Sequence, residues 1–246
     1  MPVHCGVPQG SILGPLLFLI YINDIPNCTE AKILSYADDT TVILSNSDPF
    51  VLFRDSNLAL DNLFNWFCAN KLSLNATKTQ YMIIRPPTNK TDVSQQNLSI
   101  NGVCLTQASE CKFLGIIIDE SLSWKKHILR INSKISRALF AIKQVKFSLP
   151  KDSLRTLYFS LIHPHLIYGL LAWGSANNTL IRKTVTIQKR ALRTIHNARY
   201  NSHTDPLFKQ SGIIKVSDQY QLEVMLFMHD YFHNKLRPRS SLSIIA

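Results

Sequence analysis

Ala31-Lys-Ile-Leu-Ser-Tyr-Ala-Asp-Asp-Thr-Thr-Val-Ile-Leu-Ser45 is the stretch that decides how this chain reads. Aliphatic and β-branched residues at 33–36 and 40–44 flank a polar tip, Asp38-Asp39, which is the pattern of a β-hairpin. Along a strand, neighbouring side chains point to opposite faces. At a tight hairpin tip that alternation relaxes, and two carboxylates can approach one hard cation. Mg²⁺ takes oxygen ligands from one or two carboxylates plus substrate phosphates. A two-metal phosphoryl-transfer site needs such a cluster, because the metals stabilise both the attacking and the leaving oxygen. Taken alone, an Asp-Asp pair is more often a plain solvated turn.

The neighbouring stretches change that balance. Upstream, Gly6-Val7-Pro8-Gln9-Gly10-Ser11-Ile12-Leu13-Gly14-Pro15-Leu16-Leu17-Phe18 is a Gly/Pro-punctuated loop opening an apolar helix. Downstream lie Asn70-Lys71-Leu72-Ser73-Leu74-Asn75-Ala76-Thr77-Lys78-Thr79 and Lys112-Phe113-Leu114-Gly115-Ile116-Ile117-Ile118-Asp119. In this order and spacing the four motifs resemble consecutive palm motifs of reverse transcriptases, in the variant of non-LTR, jockey-like retrotransposons, with Ala37 second in the Tyr-Ala-Asp-Asp box. The resemblance implies an α+β fold. A partial right-hand polymerase palm (antiparallel sheet with helices, 1–120) would precede an all-α thumb (121–200) and a C-terminal helical extension (201–246).

By resemblance the function is RNA-directed DNA synthesis. Asp38 and Asp39 would hold two Mg²⁺, and Gln9, Gly10 and Tyr36 would serve the nucleotide and template. Lys78 is a candidate general acid for the leaving pyrophosphate, a role that suits a proton carried near developing negative charge. Phe113-Leu114-Gly115 resembles the primer grip. The implied partners are an RNA template, a DNA primer or duplex and deoxynucleoside triphosphates, in the nucleus or cytoplasm. Family polymerases also need a carboxylate on a palm strand upstream of the Gln-Gly loop, and a fingers domain. Only eight residues precede Gln9, so the chain reads as truncated and is expected to be inactive alone. The alternative is a catalytically dead remnant that still holds nucleic acid. A maturase-like or telomerase-like relative fits less well.

Charge is divided unevenly. Residues 1–111 carry 6 Lys and Arg against 9 Asp and Glu, whereas residues 112–246 carry 21 against 7. An acidic half joined to a basic half suits an enzyme that holds metal with one part and a phosphate backbone with the other. The basic residues Lys125, Lys126, Arg130, Lys134, Arg137, Lys143 and Lys146 alternate with Ile128, Ile131, Ile135, Leu139 and Ile142 at helical spacing. No acid lies between Glu120 and Asp152, so this face reads as a grip on phosphates rather than an ordinary solvated surface.

Five cysteines without a Cys-x-x-Cys pair read as reduced thiols of an intracellular protein. The apolar run 12–22 is too short to span a bilayer and is expected to be a buried helix. Asn101-Gly102 predicts a two-residue hairpin, 112–119 a near-continuous apolar strand, and 153–168 a single helix. A zinc site at His229 and His233 is not expected, because the intervening residues lack the Glu of a His-Glu-x-x-His motif.

Overall fold

The computed structural model describes residues 10–86, 88, 93 and 96–236. The chain divides into two compact units between Ser109 and Glu110.

The first unit begins with α1 (Leu13–Tyr21). Ser11 caps it, its Oγ accepting from the Gly14 N–H at 3.1 Å, and Pro15 falls in the first turn, where its missing N–H costs nothing. The helix was expected to be buried, yet none of its residues is. Leu13, Leu16, Leu19 and Ile20 are each more than half exposed. The reason is geometric: Leu-Gly-Pro-Leu-Leu-Phe-Leu-Ile-Tyr is apolar all round, and a packed cluster of described residues meets it on one side. Phe18 alone from α1 reaches the cluster formed by Ile22, Ile25 and Leu63.

Strands β1 (Lys32–Tyr36) and β2 (Asp39–Ile43) follow as an antiparallel hairpin. A lone hairpin is marginal in water. This one is anchored by its Ile33 and Val42, which face each other across the pair and join the same cluster. Next comes α2 (Pro49–Ala69), capped by Asp48, whose carboxylate accepts from the Phe50 N–H at 2.8 Å. Phe53, Ala59 and Leu63 are buried, with Leu60, Phe64 and Phe67 packed around them. The apolar face of α2 is therefore core, and Trp66 is half-buried.

Four short strands complete the unit. β3 (Gln80–Tyr81) pairs in parallel with β6 (Thr106–Gln107), while β4 (Ser99–Ile100) and β5 (Val103–Cys104) form an antiparallel hairpin. Asn101 and Gly102 close it with φ of 49° and 74°, the paired positive values of the predicted turn. The Asn57 amide fastens α2 to this hairpin, accepting from Ser99 N–H at 3.0 Å. Among the described residues the strands form four separate two-stranded sheets rather than one extended antiparallel sheet.

The second unit starts with β7 (Glu110–Phe113) and β8 (Ile116–Asp119), an antiparallel hairpin. The expected continuous strand over 112–119 is thus folded back on itself. Leu114 and Gly115 sit at φ of 45° and 87°, and a glycine at the second position lets an otherwise apolar run reverse.

Helices fill the rest: α3 (Lys125–Val145), α4 (Lys151–Leu161), α5 (His163–Ile167), α6 (Leu170–Trp173), α7 (Asn178–Ile195), α8 (Asp205–Ser211) and α9 (Val216–Phe232). The helix expected over 153–168 is broken at Ile162, because Pro164 cannot donate to the turn before it. All five stripe residues of α3 are buried, together with Tyr158, Leu166, Trp173 and Leu192. Lys146, just past the end of α3, donates to Asn197, just past the end of α7, at 3.2 Å. Trp124 and Lys125 line one cavity with Asn177, Thr179 and Leu180, at the other ends of these helices. The two helices consequently run in parallel.

One polar group holds this core in register. Gln188, 1% exposed, donates through Nε2 to the Tyr158 hydroxyl and the Ile214 carbonyl, both at 2.9 Å, and accepts from the Val216 N–H at 3.0 Å. Truncating such a hub leaves its partners unpaired, so Gln188→Leu is expected to cost about 3 kcal/mol in urea denaturation. Burial pushes the Tyr158 phenol up to about 12, against the lesser lowering effect of Gln188. Its folded-state value is raised, so the associated stability is intact below about pH 10 and is lost as pH climbs towards 12. Spectrophotometric titration should show one tyrosine ionising late, and together with unfolding.

Candidate nucleic-acid and metal site

The tip of the first hairpin is two residues long: Tyr36 pairs with Asp39, leaving Ala37 and Asp38 in the turn. Ala37 is at φ 52°, a conformation that an L residue with a Cβ adopts at some cost. Tyr36, Ala37, Asp38 and Asp39 are all exposed, Tyr36 to 64%. Neither carboxylate forms a hydrogen bond or an ion pair with a described residue. Two adjacent, unpartnered carboxylates on a projecting turn offer hard oxygen donors that suit Mg²⁺ together with phosphate oxygens. Among the described residues no group of three or more His, Cys, Asp or Glu gathers to hold a metal.

Gly10, at φ 85°, lies in the turn before α1, and no atom of a described residue lies within 4 Å of where a Cβ would project. Gln9 lies outside the described residues. Lys78 occupies an exposed turn ahead of β3, its backbone N–H donating to the Asn75 carbonyl at 3.1 Å.

Phe113, Leu114 and Gly115 belong to the second unit, at the tip of the β7–β8 hairpin. The Tyr168 hydroxyl donates to the Leu114 carbonyl, and its ring lies 3.4 Å from where a Cβ on Gly115 would stand. The opposite end of the hairpin is fixed by Asp119. Its Oδ1 accepts from the Ser121 N–H and hydroxyl and from the Ser123 N–H. Its Oδ2 accepts from the Ser123 hydroxyl and the Trp124 N–H. Burial pushes the Asp119 carboxyl up, but the bonds from Ser123, Ser121 and Trp124 together outweigh it and hold the group below its usual value.

On α3, Lys125, Lys126, Arg130 and Arg137 are exposed and Lys134 is half-buried. Lys126 pairs with Glu110 at 2.8 Å, which offsets its charge towards a polyanion. The structure brings Arg130 and Lys134 together with Gly115 around one cavity, beside His127, His165 and Tyr168. These last three were missed by sequence reasoning. The legible trace was the spacing of His127, Arg130 and Lys134, which places them on one helix face. Elsewhere His163 packs against the Phe159 ring, centroids 5.0 Å apart. His229 and His233 stack at 4.1 Å, a pair without a third ligand group among the described residues. No described helix is long and apolar enough to cross a membrane.

Asp119→Ala removes the five side-chain bonds at the turn from β8 into α3, and should cost roughly 3 kcal/mol in denaturant. Because the folded carboxyl titrates below its ordinary value, its contribution is present above about pH 4 and fades as pH falls further. The variant should therefore lack the wild-type loss of stability in that acid range, measured by circular dichroism.

The residues placed here also carry a family likeness. Residues 1–118 match the family model described as reverse transcriptase (RNA-dependent DNA polymerase). Over 237 residues the chain is 28% identical to the RNA-directed DNA polymerase from mobile element jockey of Drosophila melanogaster, covering 89% of this chain and 25% of the relative. It is 28% identical over 233 residues to the probable RNA-directed DNA polymerase from transposon BS of the same organism, with 88% and 25% covered. With the X-element counterpart the identity is 24% over 238 residues, with 88% and 24% covered. The chain thus spans about a quarter of the length of these curated relatives. No solved structure matches. The tip motif, the matched segment and these relatives agree: residues 1–118 match the reverse transcriptase family, and the chain resembles the RNA-directed DNA polymerases of non-LTR retrotransposons.

Proposed function

We propose that this chain supplies the paired-carboxylate tip and the phosphate-gripping helices of an RNA-directed DNA polymerase. The observation that carries the reading is the exposed, unpartnered Asp38-Asp39 pair on a two-residue turn inside the matched segment. Bound Mg²⁺ would supply charge stabilisation at the attacking and leaving oxygens of phosphoryl transfer. Asp38 and Asp39 hold and orient the cation, with Asp38 the direct ligand and Asp39 a ligand or electrostatic support. Gln9, Gly10 and Tyr36 serve the nucleotide and template side, Gly10 because backbone without a Cβ allows close approach. Lys78 carries the proton for the leaving pyrophosphate.

The β7–β8 tip holds the primer through backbone on a rigid hairpin. Lys125, Arg130, Lys134 and Arg137 bind phosphates without reading sequence, and Lys126 contributes less because Glu110 already neutralises it. A second reading keeps the grip without the copying: a segment that holds nucleic acid, favoured by the strongly basic 112–246 stretch.

Primer extension on an RNA template with Mg²⁺ tests the pair. Extension should fall ~100-fold or more in Asp38→Ala, a few kcal/mol of lost charge stabilisation, with duplex binding retained. Four phosphate contacts predict a log–log salt slope of about −3.6 for duplex binding, shallower by about 1 for each cation removed. Extension undiminished in Asp38→Ala, or binding indifferent to salt, contradicts the proposal. Salt-sensitive binding without extension selects the second reading.

A further inference from the structure

A cavity of about 230 Å³ lies in the second unit between the β7–β8 tip, α3 and α5, lined by Gly115, His127, Arg130, Lys134, His165 and Tyr168 among others. No carboxylate of a described residue lines it. The Tyr168 hydroxyl is already committed to Leu114. Arg130 and Lys134 form no hydrogen bond or ion pair with a described residue, so two positive charges there are uncompensated.

His127 is the unexplained member. It is 4% exposed, and its Nδ1 accepts from the Ile117 N–H at 3.2 Å, which places the ring proton on Nε2. That Nε2 is buried and has no hydrogen-bond partner. Burial, with the Arg130 and Lys134 charges, pushes the imidazole below its ordinary value and keeps it neutral at pH 7. A neutral, buried N–H with nothing to donate to costs about 1–3 kcal/mol, and such orphans ask for an acceptor.

The acceptor must be anionic, because two free cations line the cavity together with the His127 ring. It must also be small, because cavities for drug-sized ligands span about 300–1,000 Å³. Several oxygens on one centre match this set, since Arg offers a planar fork and Lys a point charge to the same anion. The surrounding face selects among anions. α3 carries basic residues along its exposed side, with no acid between Glu120 and Asp152, a surface that draws a polyanion.

We propose that this cavity is a single-phosphate site, in which the His127 Nε2–H, Arg130 and Lys134 take the oxygens of one backbone phosphate of a bound nucleic-acid strand. The strand as source rests on the nucleic-acid reading above, whereas the phosphate chemistry stands on the cavity alone. His127 makes the site discrete, since a diffuse basic face would have no neutral buried donor.

Imidazole ¹H–¹⁵N spectra of the full chain test it, titrated at constant ionic strength with inorganic phosphate and separately with a short RNA–DNA duplex. His127 should show the Nε2–H tautomer, and its Nε2 resonance should move saturably with both. Arg130→Gln and Lys134→Gln should each weaken the phosphate titration about tenfold, the loss of one charge-assisted bond, while Lys209→Gln on α8 leaves it unchanged. These variants spare the Ile117–His127 bond, so the fold is kept. Movement with inorganic phosphate but not with duplex keeps the phosphate site and makes free phosphate its ligand. Salt-sensitive duplex binding with His127 unmoved in both titrations overturns the site and leaves the nucleic-acid reading standing.

Discussion

The second unit depends on one carboxylate. Asp119 ends β8 and accepts five hydrogen bonds from the three residues that lead into α3. The backbone there is strained, with Leu122 at φ 52° and Trp124, directly before the helix, at φ 61°. Positive φ at large side chains persists only where the surroundings enforce it, and the Asp119 oxygens are those surroundings. The direction of α3 follows from this junction. So do the rows of Ile128, Ile131, Ile135, Leu139 and Ile142 on one side and of basic residues on the other. His127 returns the constraint by accepting from Ile117 on β8. Hairpin tip and basic face are thereby held as one rigid object, which a positioning role for either requires.

In the first unit the constraint is weaker and more local. The β1–β2 hairpin rests on Ile33, Val42 and a small cluster with Ile22, Ile25 and Leu63, and projects its acidic tip away from that support. Such a tip keeps two neighbouring negative charges in water, where their repulsion is screened. A divalent cation and phosphates would bring them into a drier setting, so the pair is suited to gain most when its ligands arrive.

Legibility differed by residue and for physical reasons. The Tyr-Ala-Asp-Asp hairpin, the Asn101-Gly102 turn and the α3 stripe could be read, because each combines a period with a residue type that has few other uses. The reversal at Leu114-Gly115 could not: one glycine in a run of apolar residues fits a buried strand as well as a turn, and the choice is made by Tyr168, more than fifty residues away. Pro164 carried its own signal, yet it sits where helical spacing continues on both sides and masks the break. The exposure of α1 went against its composition, since an apolar sequence says what would be buried and not whether a partner surface stands opposite. His127 was invisible because an isolated histidine on an apolar face is ordinary core, and only the unpaired Nε2 marks it out.

The central claim is that the turn at residues 36–39 binds the catalytic cation. Paramagnetic broadening by Mn²⁺, followed in backbone amide spectra of the chain bound to a primed RNA template, tests it most directly. The account predicts broadening centred on Tyr36, Ala37, Asp38 and Asp39 that disappears in Asp38→Asn. Broadening that spares this turn, or that is unchanged in Asp38→Asn, would contradict it.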